Sequence, residues 1–182
     1  FGSQTGVDVP GESPGIVLRP REYSGASIGN LPIGQGIAVT PLQMATGSSA
    51  IANGGVLHEP TVVEGEADEG RGVVSERTAG QVAPMLEGVL AGGGTAEEAS
   101  IPGYVVAGKT GTAEKVDPET GEYSDTKFFS SFIGFAPAQN PRLMVAVMVD
   151  EPSGMYYGGE VAAPAFEKIM QFALPYLRIP PD

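Results

Sequence analysis

Residues 107–112, Ala-Gly-Lys-Thr-Gly-Thr, close a run (Tyr104-Val-Val-Ala107) whose residue types favour a pleated, half-buried strand. Lys109 supplies an ammonium, and Thr110 and Thr112 supply hydroxyl donors. Strand alternation puts Lys109 and Gly111 on one face, and the missing side chain at Gly111 lets a ligand approach the backbone. A cationic, donor-rich strand end of this kind suits a carboxylate. The same residues also make a literal phosphate-loop match: Gly103, four spacers, then Gly108-Lys109-Thr110.

The phosphate reading lacks its context. Such a loop follows a strand and opens a helix. Here Thr95–Pro102 precedes it, strand-forming residues fill the spacer, and Pro118 and Gly121 follow without a long helical pattern. Other candidates are bland. His58, the only histidine, is followed by Glu59-Pro60 and reads as structural. Glu97 and Glu98 are adjacent, so on a helix they do not face one another, and they read as a solvated face. No His/Cys/Asp/Glu group has metal-ligand spacing, and no cofactor is implied.

The elements that must position Lys109 can be read from breakers and periodicity. Residues 1–39 are rich in Gly and Pro and read as mostly irregular. Thr40-Pro41-Leu42-Gln43 carries an N-cap, a proline at the first helical position and a capping-box glutamine, predicting a helix to about Asn53. A strand near Leu57–Val63 and an acidic, Gly-rich loop over Glu64–Gly72 follow. Ser75 caps a helix of about Glu76–Ala91, with Ala79, Val82, Leu86 and Val89 as its apolar stripe. Gly92-Gly93-Gly94 then reads as a flexible linker. Strands are predicted at about Gly103–Thr110, Lys127–Ala136 and Arg142–Val149, the last two joined through Pro137–Pro141. A final helix of about Val161–Leu174 would turn Ala165, Ile169 and Phe172 to the sheet. The pattern indicates one α/β domain, 1–182, with an antiparallel sheet and no internal repeat.

Composition narrows the function classes. The chain has 182 residues, 41% of them hydrophobic, enough for one real core. Its net charge of −12 argues against nucleic acid and anionic membrane surfaces as partners. There is no cysteine, hence no disulfide or thiolate site. The apolar run Leu143–Val149 is a strand's length, far short of the roughly 20 residues of a spanning helix. No leader-type segment is present, which fits a start in mid-domain.

Five blocks in order carry a resemblance. They are Phe1-Gly-Ser-Gln-Thr-Gly6 with Val9-Pro-Gly-Glu12, Ile33-Gly-Gln-Gly-Ile-Ala-Val-Thr-Pro-Leu-Gln43, Lys109-Thr-Gly111, Phe132-Ile-Gly-Phe-Ala-Pro137, and Tyr156-Tyr-Gly-Gly159 with Val161-Ala-Ala-Pro164. Together they resemble the C-terminal part of the transpeptidase domain of class B penicillin-binding proteins. The resemblance implies that fold, a central antiparallel sheet with helices on both faces and Lys-Thr-Gly on an edge-proximal strand. It implies a serine D,D-transpeptidase that cross-links peptidoglycan and is acylated by β-lactams. Lys109, Thr110 and Thr112 would hold the substrate carboxylate, and the Thr112 N–H would serve as an oxyanion donor. Gly111, Tyr157 and Gly158 would border the substrate.

The family's Ser-x-Asn does not occur in this sequence. The one Ser-x-x-Lys, Ser124–Lys127, lies downstream in a turn-to-strand context and reads as chance. The nucleophile is therefore expected on an upstream part of the same domain, outside this chain. The implied partners are D-Ala-D-Ala stem peptides, β-lactams and the membrane proteins of division or elongation complexes, at the outer face of the bacterial cell membrane. A D,D-carboxypeptidase, a β-lactamase or a non-catalytic cell-wall scaffold are the alternatives, and the upstream sequence would discriminate.

Overall fold

The computed structural model describes residues 1–65 and 68–182. Its centre is a three-stranded antiparallel meander of β5 (Ala107–Val116), β6 (Tyr123–Ala136) and β7 (Leu143–Asp150), with β6 in the middle. Helices α2 (Pro41–Ala52) and α3 (Glu76–Glu87) cover one face. The one-turn helix α4 (Gly158–Val161) and α5 (Ala163–Tyr176) cover the other. Alternation divides the core accordingly. Phe132 and Ala136 pack with Phe166, Met170 and Leu174 of α5, while Ala107 and Phe135 pack towards Ala52 of α2 and Leu86 of α3.

The site strand lies further along the chain than its residue types suggest. Gly103 sits in a turn at φ +84°, and Ile101 bridges Tyr104. The C-terminal tail occupies the next groups: the Tyr104 hydroxyl donates to the Ile179 carbonyl at 2.7 Å and the Val105 N–H to Asp182 Oδ2 at 2.6 Å. Pairing with β6 therefore starts at Ala107↔Phe135 and continues past Lys-Thr-Gly to Val116↔Tyr123. Pro118 and Gly121 occupy only the hairpin tip, which is tied by Gly121 N–H to Asp117 O at 2.8 Å. Lys109 is thus inside a ten-residue strand, not at its end.

The capping box at Thr40 and Gln43 forms as predicted, and Ser75 accepts from the Thr78 N–H to start α3. Helix α3 stops at Glu87, before Gly88, so Val89 leaves the apolar stripe that Ala79, Val82 and Leu86 keep. The strand predicted at 57–63 shrinks to β3 (Val56–Leu57), with Pro60 denying it a further donor. Its partner β4 (Arg71–Gly72) falls inside the predicted acidic loop, of which residues 66–67 lie outside the described residues. Residues 1–39 hold a two-residue pairing of β1 (Ile16–Val17) with β2 (Ile37–Ala38) and a one-turn helix α1 (Ser27–Asn30). In α5 the stripe facing the sheet is Ala163, Phe166, Met170 and Leu174, whereas Ile169 and Phe172 point outwards. This helix is apolar on two sides, so periodicity alone favoured the wrong one. No described helix is long and apolar enough to cross a membrane.

Candidate active site

β5 is an edge strand of the sheet, so among the described residues one of its edges carries no partner strand. Ala107, Lys109 and Gly111 face the α2/α3 side; Gly108, Thr110 and Thr112 face the α4/α5 side, where Gly108 leaves room for the Phe132 ring. Lys109 and the two threonines therefore start on opposite faces. The lysine reaches across the open edge: its Nζ donates to the Thr110 carbonyl at 2.7 Å and to Thr110 Oγ1 at 3.3 Å. The Thr110 carbonyl thus points away from β6. In an antiparallel ladder successive residues alternate in direction, so the Thr112 N–H points to the same open edge.

On the threonine face lies a cavity of about 490 Å³, lined by Thr95, Glu97, Glu98, Thr110, Thr112, Tyr157, Gly158, Gly159 and Glu160 together with Gly94. Of the residues singled out by sequence, Thr110, Thr112, Tyr157 and Gly158 meet here. Lys109 joins through Thr110. Gly111 does not line the cavity. Ser131 Oγ, on the paired strand, stands 2.5 Å from where a Gly111 Cβ would be, so the glycine accommodates a neighbour's side chain.

The segment 156–159 is laid directly on the sheet. The Gly158 N–H donates to Thr112 Oγ1 at 3.0 Å, and the buried Ser130 hydroxyl donates to the Tyr156 carbonyl. Thr112 and Ser130 are cross-strand partners, so one rung of the ladder holds the segment at two points. A Cβ at Gly158 would collide with the carbonyls of Gly111 and Ser131, and one at Gly159 with the Thr95 carbonyl; both glycines are sites of close approach. Phe128, two residues along β6 from Ser130, stacks on Tyr156 at 4.3 Å, and Tyr156 packs on Tyr157 at 4.5 Å. Hydrogen bonding to Tyr157 raises the Tyr156 pKa above the usual phenol value.

Thr95 was missed by sequence reasoning, and Glu97 and Glu98, read there only as a solvated face, line the same cavity. Gly92–Gly94 is not a free linker. Gly94 N–H donates to Ala91 O at 2.7 Å and Ala96 N–H to Val89 O at 3.1 Å, while Ala96 is fully buried. This turn delivers Thr95 Oγ1 to 3.0 Å from Thr110 Oγ1. A hydroxyl residue directly after a run of three glycines was the available signal.

The remaining sequence candidates lie elsewhere. His58 Nδ1 is 2.8 Å from Asp68 Oδ1, a hydrogen bond that lowers the Asp68 pKa, and His58 does not line the cavity. Ser124 sits in β6 and accepts from the N–H groups of Thr126 and Lys127, with no helix behind it. The phosphate-loop match is extended strand throughout residues 107–112.

Comparison with known proteins finds relatives over the length of the chain. The penicillin binding protein transpeptidase domain family matches residues 1–171. The chain is 40% identical to stage V sporulation protein D of Bacillus subtilis, covering all of this chain and 30% of that protein. It is 39% identical to a probable peptidoglycan D,D-transpeptidase PenA of Neisseria meningitidis, over 94% of this chain and 30% of that one. Penicillin binding protein 3 of Mycobacterium tuberculosis superimposes with a TM-score of 0.91 at 37% identity, over all of this chain and 45% of that chain; it has also been solved with aztreonam and with ampicillin. The chain thus spans about a third of the length of the curated relatives it matches.

Proposed function

The chain belongs to the penicillin-binding-protein transpeptidase family, and on that premise we propose that it is the C-terminal part of a peptidoglycan D,D-transpeptidase domain acting at the outer face of the bacterial cell membrane. The observation that carries this reading is the open edge of β5. Two threonine hydroxyls line one cavity there, an ammonium rests on the first of them, and ladder alternation turns the N–H of the second away from β6.

In this reading Thr110 and Thr112 donate to the terminal carboxylate of a D-Ala-D-Ala stem peptide, and Lys109 supplies the positive field. A serine from a Ser-x-x-Lys segment outside these 182 residues attacks the penultimate D-Ala carbonyl. The Thr112 N–H stabilises the oxyanion. The C–N bond to the terminal D-Ala breaks, leaving an acyl-serine, and the amine of a neighbouring stem peptide then displaces the serine. A β-lactam carries the same carboxylate next to a strained amide and stops at the acyl-enzyme. Tyr157 and Gly158 border the bound donor.

Fluorescent penicillin, applied to the full-length protein and to this chain alone and followed by peptide mapping, tests the reading. The expected result is one labelled serine in the full-length protein, in a Ser-x-x-Lys outside residues 1–182, and no label on the isolated chain. Label at Ser124 would overturn it. Release of D-Ala without cross-linked product would assign a carboxypeptidase instead.

A further inference from the structure

The two hydroxyls of the site are alike in one respect: each has an acceptor position filled from outside its own strand or by the neighbouring lysine. The Gly158 N–H can only donate, so Thr112 Oγ1 accepts from it and keeps its own proton free. Lys109 Nζ can only donate, so Thr110 Oγ1 accepts from it as well. Between Thr95 Oγ1 and Thr110 Oγ1, 3.0 Å apart, the atoms leave the direction open. If Thr110 gave its proton to Thr95, it would have none for an anion. If Thr95 gives its proton to Thr110, both threonines of β5 present O–H groups to the cavity.

We propose, building on the transpeptidase reading, that Thr95 is a positioning residue for the carboxylate subsite: its hydroxyl donates to Thr110 Oγ1 and so directs the Thr110 proton at the bound anion. Thr95 can do this because its backbone is held on both sides. Ala96 is fully buried and bonded to the Val89 carbonyl, and the Thr95 carbonyl abuts Gly159. Chains of hydroxyls polarise one another, so the donor at the end of such a chain is strengthened towards an anion.

The test uses the full-length protein with Thr95→Val, Thr95→Ser, Thr110→Val and the double valine variant. Acylation rates are measured with a penicillin and with its methyl ester, which lacks the anion. Thr95→Val should slow acylation by the free acid about tenfold, the scale of one hydrogen bond to a charged group, and leave the ester within about twofold. Thr95→Ser should keep most of the rate. In the double variant, Thr95→Val should add nothing to Thr110→Val, because one relay has been cut twice. Equal slowing of acid and ester, or multiplicative effects in the double variant, would overturn the proposal. A wild-type protein that takes no penicillin would refute the transpeptidase reading. Thr95 is then decided by NMR titration of the threonine methyl groups with acetyl-D-Ala-D-Ala, which needs no nucleophile. Loss of binding in Thr95→Val, rescued in Thr95→Ser, supports the relay, and unchanged binding refutes it.

Discussion

The sheet half of the chain, residues 101–182, and its opening fifth, residues 1–40, are ordered by different forces. Phe132, Phe135, Phe166, Met170 and Leu174 are all at most 2% exposed, whereas no residue in 1–40 is buried and Ile28 and Ile33 are 83% and 76% exposed. What fixes the opening segment is polar. The Gln43 amide, itself 3% exposed, donates to the carbonyls of Ser3 and Pro14 and accepts from the Thr40 N–H. Glu12 accepts from the Thr5 N–H at 2.6 Å, and hydrogen bonding from the Thr5 side chain, then from this N–H, lowers its pKa. The comparison teaches that the strand bearing Lys109 rests on packing, with many interchangeable contacts, while residues 1–15 depend on a few hydrogen bonds from one helix start.

The most severe way to probe the contrast is Phe166→Ala. The ring meets Phe132 edge-on at 4.7 Å and is fully buried, so its loss should cost about 3–5 kcal/mol. Denaturant unfolding should show a lower midpoint with an unchanged slope. A cost below about 1 kcal/mol would mean that the sheet half is not held by this core.

Lys109→Ala in the full-length protein should sharpen the contrast by separating function from packing. The side chain is exposed, so the unfolding midpoint should barely move. Acylation by penicillin should fall about ten- to a hundredfold, since a charge-assisted hydrogen bond contributes about 1.5–3 kcal/mol. An unchanged acylation constant would reduce Lys109 to a solvated strand residue.

Gln43→Leu should act on the other region. It leaves two carbonyls and one N–H without their partner, a cost of roughly 1–3 kcal/mol for each group that stays buried. Amide exchange should quicken across residues 2–15 and stay slow in β5 and β6. Equal loss of protection in both places would show that the two regions are one cooperative unit.

The smallest effect concerns the far end of the β5–β6 hairpin. Lys115 Nζ is 2.8 Å from Asp150 and 2.7 Å from Glu151, and these hydrogen bonds, Asp150 first, raise its pKa above 10.5. A raised lysine pKa stabilises the fold fully below the unfolded value and ceases to do so as pH rises through the folded one. Stability should therefore decline above about pH 10.5 in the wild type. The alkaline limb of the Lys115→Met variant should be flatter, its side chain still covering Phe129. Near neutral pH, where the pair contributes in full, the variant should be slightly the less stable, the difference being small because the pair is solvent-screened. Parallel alkaline limbs would sink this.

Much of this was legible in advance because the signals were local. The Thr40 and Ser75 caps, the α/β layering and the three consecutive strands follow from capping chemistry, turn residues and β-branched runs. The register of α5 was not, since Ile169 and Phe172 compete with Phe166 and Met170 for the same helical period and only the sheet decides between them. The start of β5 was hidden because Tyr104 and Val105, good strand residues, are claimed by a tail some 75 residues later. Thr95 was hidden for the same reason, its partner being 15 residues away across a turn.

The meander also sets an order of assembly. Thr112 and Ser130 are partners in one hairpin, and hairpins close in roughly 1–10 μs. The segment that caps this rung arrives from 46 residues beyond Thr112, after β7 has been laid down. Contacts of greater sequence separation form later because more chain must be restrained first. The cleft's floor should thus exist before its wall, a sequence that pulsed exchange labelling during refolding would reveal as early protection in β5 and late protection at Gly158.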